Sequence, residues 1–217
     1  MQEQLLRAIA EREARVGVVG LGYVGLPLAL GFAEAGFPVT GFDTDEAKVA
    51  HLAAGTSYIR HIPNERVARA FGSTGTAVAS TSFEQVSTCE AVLICVPTPL
   101  SAHREPDLGY VTGTAAAIGP HLRPGQLVVL ESTTYPGTTE EVLVPVLEQA
   151  CGLKAGRDFL VAYSPEREDP SNPDFGTAAI PKVVGGFDAA SRTVAEALYQ
   201  AVVCSTVPVG SCRVAEA

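Results

Sequence analysis

Short, unbroken apolar runs alternate along this chain with longer stretches in which apolar residues return every three or four positions. The runs cover residues 15–19, 38–42, 76–79, 91–96, 127–131 and 159–162, with shorter ones at 183–184 and 202–203. Several consist of Val, Ile and Leu without a polar break, as expected of strands covered on both faces. The stretches between them, 23–35, 45–54, 65–71, 110–118, 138–149 and 189–200, carry helical spacing. Strand and helix in strict alternation predict an α/β fold, a doubly wound parallel sheet with helices on both faces. On such sheets ligands bind beyond the carboxyl ends of the strands.

The first run breaks into Gly20-Leu21-Gly22-Tyr23-Val24-Gly25 and continues as Leu26-Pro27-Leu28-Ala29-Leu30. This G-x-G-x-x-G lies between a predicted strand and a predicted helix. The glycines permit a tight turn and let the backbone approach a pyrophosphate, which the free N–H groups and dipole of the helix start then hold. The next strand ends at Asp43, about 20 residues on, where an acid accepts hydrogen bonds from an adenosine ribose. Strand, turn, helix and acid together make the fold Rossmann-like. The bland alternative is a glycine turn that serves only strand–helix packing.

Three more motifs sit where this fold puts ligands, just after strands. They are Val96-Pro97-Thr98-Pro99, Ser132-Thr133-Thr134-Tyr135-Pro136-Gly137-Thr138 and Tyr163-Ser164-Pro165-Glu166-Arg167-Glu168-Asp169-Pro170. All converge on the sheet edge that carries the glycine turn. At the other end of the chain, Ser211 is a candidate cap for a helix that has no stop signal. Residues 1–210 therefore read as one dinucleotide-binding domain, and 211–217 as the start of an inter-domain helix in a longer protein.

Composition narrows the functions. The chain has 217 residues, 47% hydrophobic and 18% charged, with net charge -9. That supports one well-buried core and argues against a nucleic-acid surface. Five cysteines without C-x-x-C pairing, and no targeting segment in the polar, helix-like residues 1–15, fit a cytoplasmic protein. Cys95, inside an apolar run, reads as a small core residue. The histidines His51, His61, His103 and His121 show no metal-ligand spacing, and no run is long enough to cross a membrane.

Taken in order, the motifs resemble the UDP-glucose/GDP-mannose dehydrogenase family. The matching residues are Gly20 to Pro27, Val96-Pro97-Thr98-Pro99, Glu131-Ser132-Thr133, Pro136-Gly137-Thr138-Thr139 and Ser164-Pro165-Glu166-Arg167. Finer stretches resemble the branch acting on UDP-N-acetylhexosamines: Ser57 to Pro63, Arg104 to Leu108, Glu166 to Pro170 and Ile180 to Gly186.

The resemblance implies NAD as cofactor and a nucleotide sugar as substrate. Its C6 alcohol would be oxidised to a carboxylate by two hydride transfers, the aldehyde being captured by a cysteine. UDP-N-acetylglucosamine is favoured; UDP-N-acetylmannosamine and UDP-glucose are the alternatives. It also implies a homo-oligomeric full-length protein. Cofactor positions carried over are Gly20, Gly22, Tyr23, Val24, Gly25, Asp43, Lys48, Pro97, Thr98, Ser132 and Thr133. Thr133 and Glu166 match catalytic positions near the reacting water, and Glu166 with Arg167 matches the sugar side. The family's nucleophilic cysteine, a lysine and an asparagine match nothing here.

Plain alternatives accompany several of these positions: a loop salt bridge with Arg167 for Glu166, a helix cap for Thr133, a solvated helix lysine for Lys48. Two rival functions also stand. A β-hydroxyacid dehydrogenase would need a lysine on a later helix and a glycine-rich substrate loop. A free-standing dinucleotide sensor would not need the Thr133 and Glu166 loops.

Overall fold

The computed structural model describes residues 2–100, 106–166 and 181–217. An eight-stranded sheet runs in the order β3-β2-β1-β4-β5-β6-β7-β8. The strands are β1 (Val16–Val19), β2 (Val39–Phe42), β3 (Ala77–Ser80), β4 (Ala91–Ile94), β5 (Leu127–Leu130), β6 (Leu160–Tyr163), β7 (Lys182–Gly186) and β8 (Thr206–Val209). The helices are α1 (Gln2–Ala10), α2 (Gly25–Glu34), α3 (Glu46–Ala53), α4 (Asn64–Phe71), α5 (Gly109–Ile118), α6 (Val144–Cys151), α7 (Ala189–Gln200) and α8 (Cys212–Ala215).

The unbroken apolar strands serve two cores at once. Val16 and Val18 of β1, Leu93 of β4, Val129 of β5 and Ala162 of β6 face a core shared with Leu26 and Phe32 of α2 and Leu198 of α7. The intervening Val19, Ile94, Leu130 and Val161 face a second core with Val111 of α5 and Leu147 of α6. Alternate residues point to opposite faces, so a strand buried on both must be apolar throughout.

Three expectations change. β7 runs antiparallel to β6, so the sheet is mostly rather than wholly parallel. The expected strand at 202–203 is the turn that closes α7: both N–H groups bond to the Tyr199 carbonyl. The strand lies four residues on, as β8, whose Pro208 is tolerated because β8 is an edge. The single helix expected over 138–149 begins as a wide π turn, Thr139–Leu143, before α6. Pro145 accounts for this, since it has no N–H to give and its ring crowds the preceding turn.

β1 lies between β2 and β4, so the chain leaves it first to one side and later to the other. The loops at the carboxyl ends of β1 and β4 diverge there and leave a crevice.

Candidate functional site

The crevice is a cleft of about 690 Å³. Of the residues singled out in the sequence, Gly20, Gly22, Tyr23, Val24, Asp43, Lys48, Pro97, Thr98, Ser132, Thr133 and Glu166 all line it. Gly25 is buried behind the wall, at the start of α2. Arg167 lies outside the described residues, as do the loop from Glu168 to Pro170 and His103.

The three glycines sit in three different surroundings. Gly20 has φ +91°, and a Cβ on it would stand 2.6 Å from the Cys95 carbonyl oxygen. A Cβ on Gly25 would stand 1.8 Å from the Gly20 carbonyl oxygen, so the turn closes only on a glycine. A Cβ on Gly22 would meet nothing within 4 Å. Its space is open, on the side of the cleft. The first bond of the helix is from the Leu26 N–H to the Gly22 carbonyl, and Val24 provides no side-chain cap. The N–H groups of Gly22, Tyr23 and Val24 have no partner among the described residues. Unpaired amides around an open glycine fit a phosphate.

Asp43 ties the turn to β2. Its Oδ2 accepts the Leu21 N–H at 2.9 Å and the Lys48 ammonium at 2.9 Å, and its Oδ1 accepts the Asp45 N–H at 3.0 Å. From above, the Tyr58 hydroxyl donates to the Leu21 carbonyl at 2.6 Å. Asp43 is therefore held in place before any ligand arrives, and Lys48 is a partner of that acid rather than a free lysine.

On the far side, the loops after β4 and β5 are laced together. The Ser132 hydroxyl donates to the Val96 carbonyl at 2.6 Å, and the Thr98 hydroxyl to the Thr133 carbonyl at 2.6 Å. Beneath them lies a buried polar cluster. Lys182 of β7 sets its ammonium 2.7 Å from Glu131 Oε2 and 3.7 Å from Glu166 Oε2. Tyr199 of α7 donates a short hydrogen bond to Glu131 Oε1.

Burial pushes the Glu131 carboxyl up, against the pull of Lys182. Burial works to lower Lys182, but the facing carboxylates of Glu131 and Glu166 outweigh it and hold the ammonium above its usual range. The lysine's direction governs the pair: a cation that touches one carboxylate and faces another keeps its proton. Glu166 is thus set beside Lys182, a partner that sequence reading missed. Its signal was a charged residue inside an apolar run, next to Val183-Val184. Glu131, Cys95, Phe83 and Tyr110 also line the cleft without having been singled out as site residues. No group of three or more metal-ligating side chains occurs among the described residues. No helix there is long and apolar enough to cross a membrane.

In sequence and in fold the chain is similar to known proteins. Residues 14–203 match the family model for the UDP-glucose/GDP-mannose dehydrogenase family, NAD binding domain. The chain is 35% identical to UDP-N-acetyl-D-glucosamine 6-dehydrogenase of Pseudomonas aeruginosa, over 95% of this chain and 48% of that protein. It is 34% identical to UDP-N-acetyl-D-mannosamine dehydrogenase of Pyrococcus horikoshii, over 87% of this chain and 45% of that one. The solved structure of NDP-N-acetyl-D-galactosaminuronic acid dehydrogenase from Methanosarcina mazei Go1 superposes with a TM-score of 0.87 at 33% identity. That match covers 99% of this chain and 47% of the other. The chain spans about half the length of the relatives it matches. It belongs to the UDP-glucose/GDP-mannose dehydrogenase family, as its NAD-binding domain.

Proposed function

We propose that these residues are the cofactor half of a nucleotide-sugar 6-dehydrogenase that oxidises a UDP-N-acetylhexosamine, with UDP-N-acetylglucosamine favoured. One observation carries this reading: a single cleft brings together a glycine turn with free amides, a pre-held acid, and the loops of Thr133 and Glu166. When bound, NAD supplies the hydride acceptor. Gly22 and the start of α2 would take the pyrophosphate, and Asp43, steadied by Lys48, the adenosine ribose. Pro97, Thr98 and Ser132 would shape the wall at the nicotinamide end. Thr133 and Glu166 would face the sugar and the reacting water there. Glu166 is well placed as a general base: it stands at a strand end, largely sheltered, with Lys182 to fix its direction. Domain 1–210 would carry these parts, with α8 leading out of it. No cysteine of this chain stands in the nucleophile motif that the resemblance implies, so the chain alone is expected to bind NAD without sustained sugar oxidation.

The names of the relatives support both epimers, glucosamine and mannosamine. The test is calorimetry with NAD and NADP, then NADH formation with UDP-N-acetylglucosamine, UDP-N-acetylmannosamine and UDP-glucose. NAD should bind more tightly than NADP, and none of the sugars should give steady NADH. Steady NADH that is lost in Thr133→Ala or Glu166→Gln would place the whole catalytic apparatus in these residues and overturn the reading of a cofactor half.

A further inference from the structure

The loop that carries Thr133 is held at both ends. Ser132 and Thr98 fasten its start to the neighbouring loop. The holder of its far end is Glu216, just past α8. Glu216 Oε2 accepts the Gly137 N–H at 2.6 Å. Its Oε1 accepts the Thr139 N–H at 2.8 Å and the Thr139 hydroxyl at 2.6 Å. The residue is 7% exposed. These amides open the wide turn ahead of α6, where no carbonyl within a helix reaches them. A carboxylate there also meets the positive end of the helix dipole.

Arg213 of α8 pairs with Glu141 and lies 4.0 Å from Glu140, on that same turn. Charges of both signs therefore fasten α8 to it. Between the two fixed ends remain only Thr134, Tyr135 and Pro136. Pro136 has its φ locked, and the Thr138 hydroxyl donates back to the Tyr135 carbonyl at 2.7 Å. So short a span has little slack.

We infer that Glu216 is a positioning residue for the Thr133 loop, through which α8 sets how that loop meets the cofactor cleft. The inference rests on the reading that this loop contacts the cofactor. A shift of α8 moves Gly137, and the braced span passes the movement to Thr133. Whatever holds α8 thereby tunes the cofactor site without touching it.

The test compares wild type, Glu216→Ala, Glu216→Gln and Ile9→Ala, the last a core truncation on the opposite face of the sheet. NAD affinity is read by calorimetry, and the exposure of residues 132–135 by hydrogen exchange. Glu216→Ala should weaken NAD binding about tenfold, the scale of one lost charge-assisted hydrogen bond, and speed exchange across 132–135. Glu216→Gln should fall between, because its amide oxygen accepts while its NH₂ group faces a donor. Ile9→Ala should lose stability yet match wild type in both readouts. Wild-type affinity together with wild-type exchange in Glu216→Ala would overturn the inference. Should that variant fail to fold, Glu216→Gln is judged against Ile9→Ala by the same two readouts. Should the wild-type chain bind no NAD, the cofactor reading fails separately, and exchange across 132–135 still decides the coupling.

Discussion

Removing the charge of Lys182 while Glu131 stays in place leaves a carboxylate in the core beside a phenol and the like charge of Glu166. Breaking a buried pair from one side costs about 3–5 kcal/mol. Lys182→Met should therefore lower the urea unfolding midpoint steeply, and the double variant Lys182→Met/Glu131→Gln should recover more than half of the loss. A double variant no better than the single would mean that packing, not charge, sets the cost. Asp43→Ala should weaken NAD more than NADP, because the lost carboxylate repels a 2′-phosphate and accepts from a 2′-hydroxyl. The same change frees the Leu21 N–H and should cost about 1–3 kcal/mol of stability. Calorimetry and denaturation read the two effects separately, and an unchanged cofactor preference would contradict the ribose assignment. Asp43 was legible in the sequence because its motif is local: a strand end at a fixed remove from a glycine turn. The Glu131–Lys182–Tyr199 cluster was not, since its members lie 51 and 68 positions apart and meet only after the sheet forms.

At the scale of elements, the glycine turn separates folding from binding. Gly25→Ala should collapse the turn and lower stability by several kcal/mol, since the new methyl collides with backbone that cannot move aside. Gly22→Ala should melt within about 0.5 kcal/mol of wild type, its methyl being in open space. It should nonetheless weaken NAD binding severalfold by keeping the pyrophosphate from the backbone. Thermal melts and calorimetry on the two variants check this. Gly22→Ala with full NAD affinity would remove the phosphate from the turn. Helices and strands with strong patterns were legible almost to their ends, as with β5, whose neighbours on both faces demand Val and Leu. β8 was missed because an edge strand is only half covered: Thr206-Val207-Pro208-Val209 carries a weaker signal than the Val-Val that closes α7. The reversal of β7 had no local signature at all, because strand direction depends on where the chain re-enters the sheet.

At the scale of the whole molecule, four buried acids of high ordinary pKa shift the same way. Burial pushes the Cys89 thiol from 9.0 to about 11 and the Cys212 thiol from 9.0 to about 12. Burial also raises Tyr163 and Tyr199. A group raised in the folded state stabilises it fully below the ordinary value and ceases to do so as pH climbs through the raised one. The melting temperature should therefore stay level up to pH 9 and fall between pH 9 and 11, each such group contributing up to about 1.4 kcal/mol per pH unit. A level melting curve up to pH 11 at constant salt would show that these groups ionise freely in the folded chain.

The place of α1 has a consequence for the order in which the molecule is built. Leu5 and Ile9 share their core with Val194 and Leu198 of α7, far along the sequence. β1 likewise has its two neighbours at Val39–Phe42 and Ala91–Ile94. On the ribosome, then, α1 waits for α7. Its apolar stripe stays open to chaperones and proteases until synthesis has passed Gln200, and α1 becomes protease-resistant only once α7 has been made.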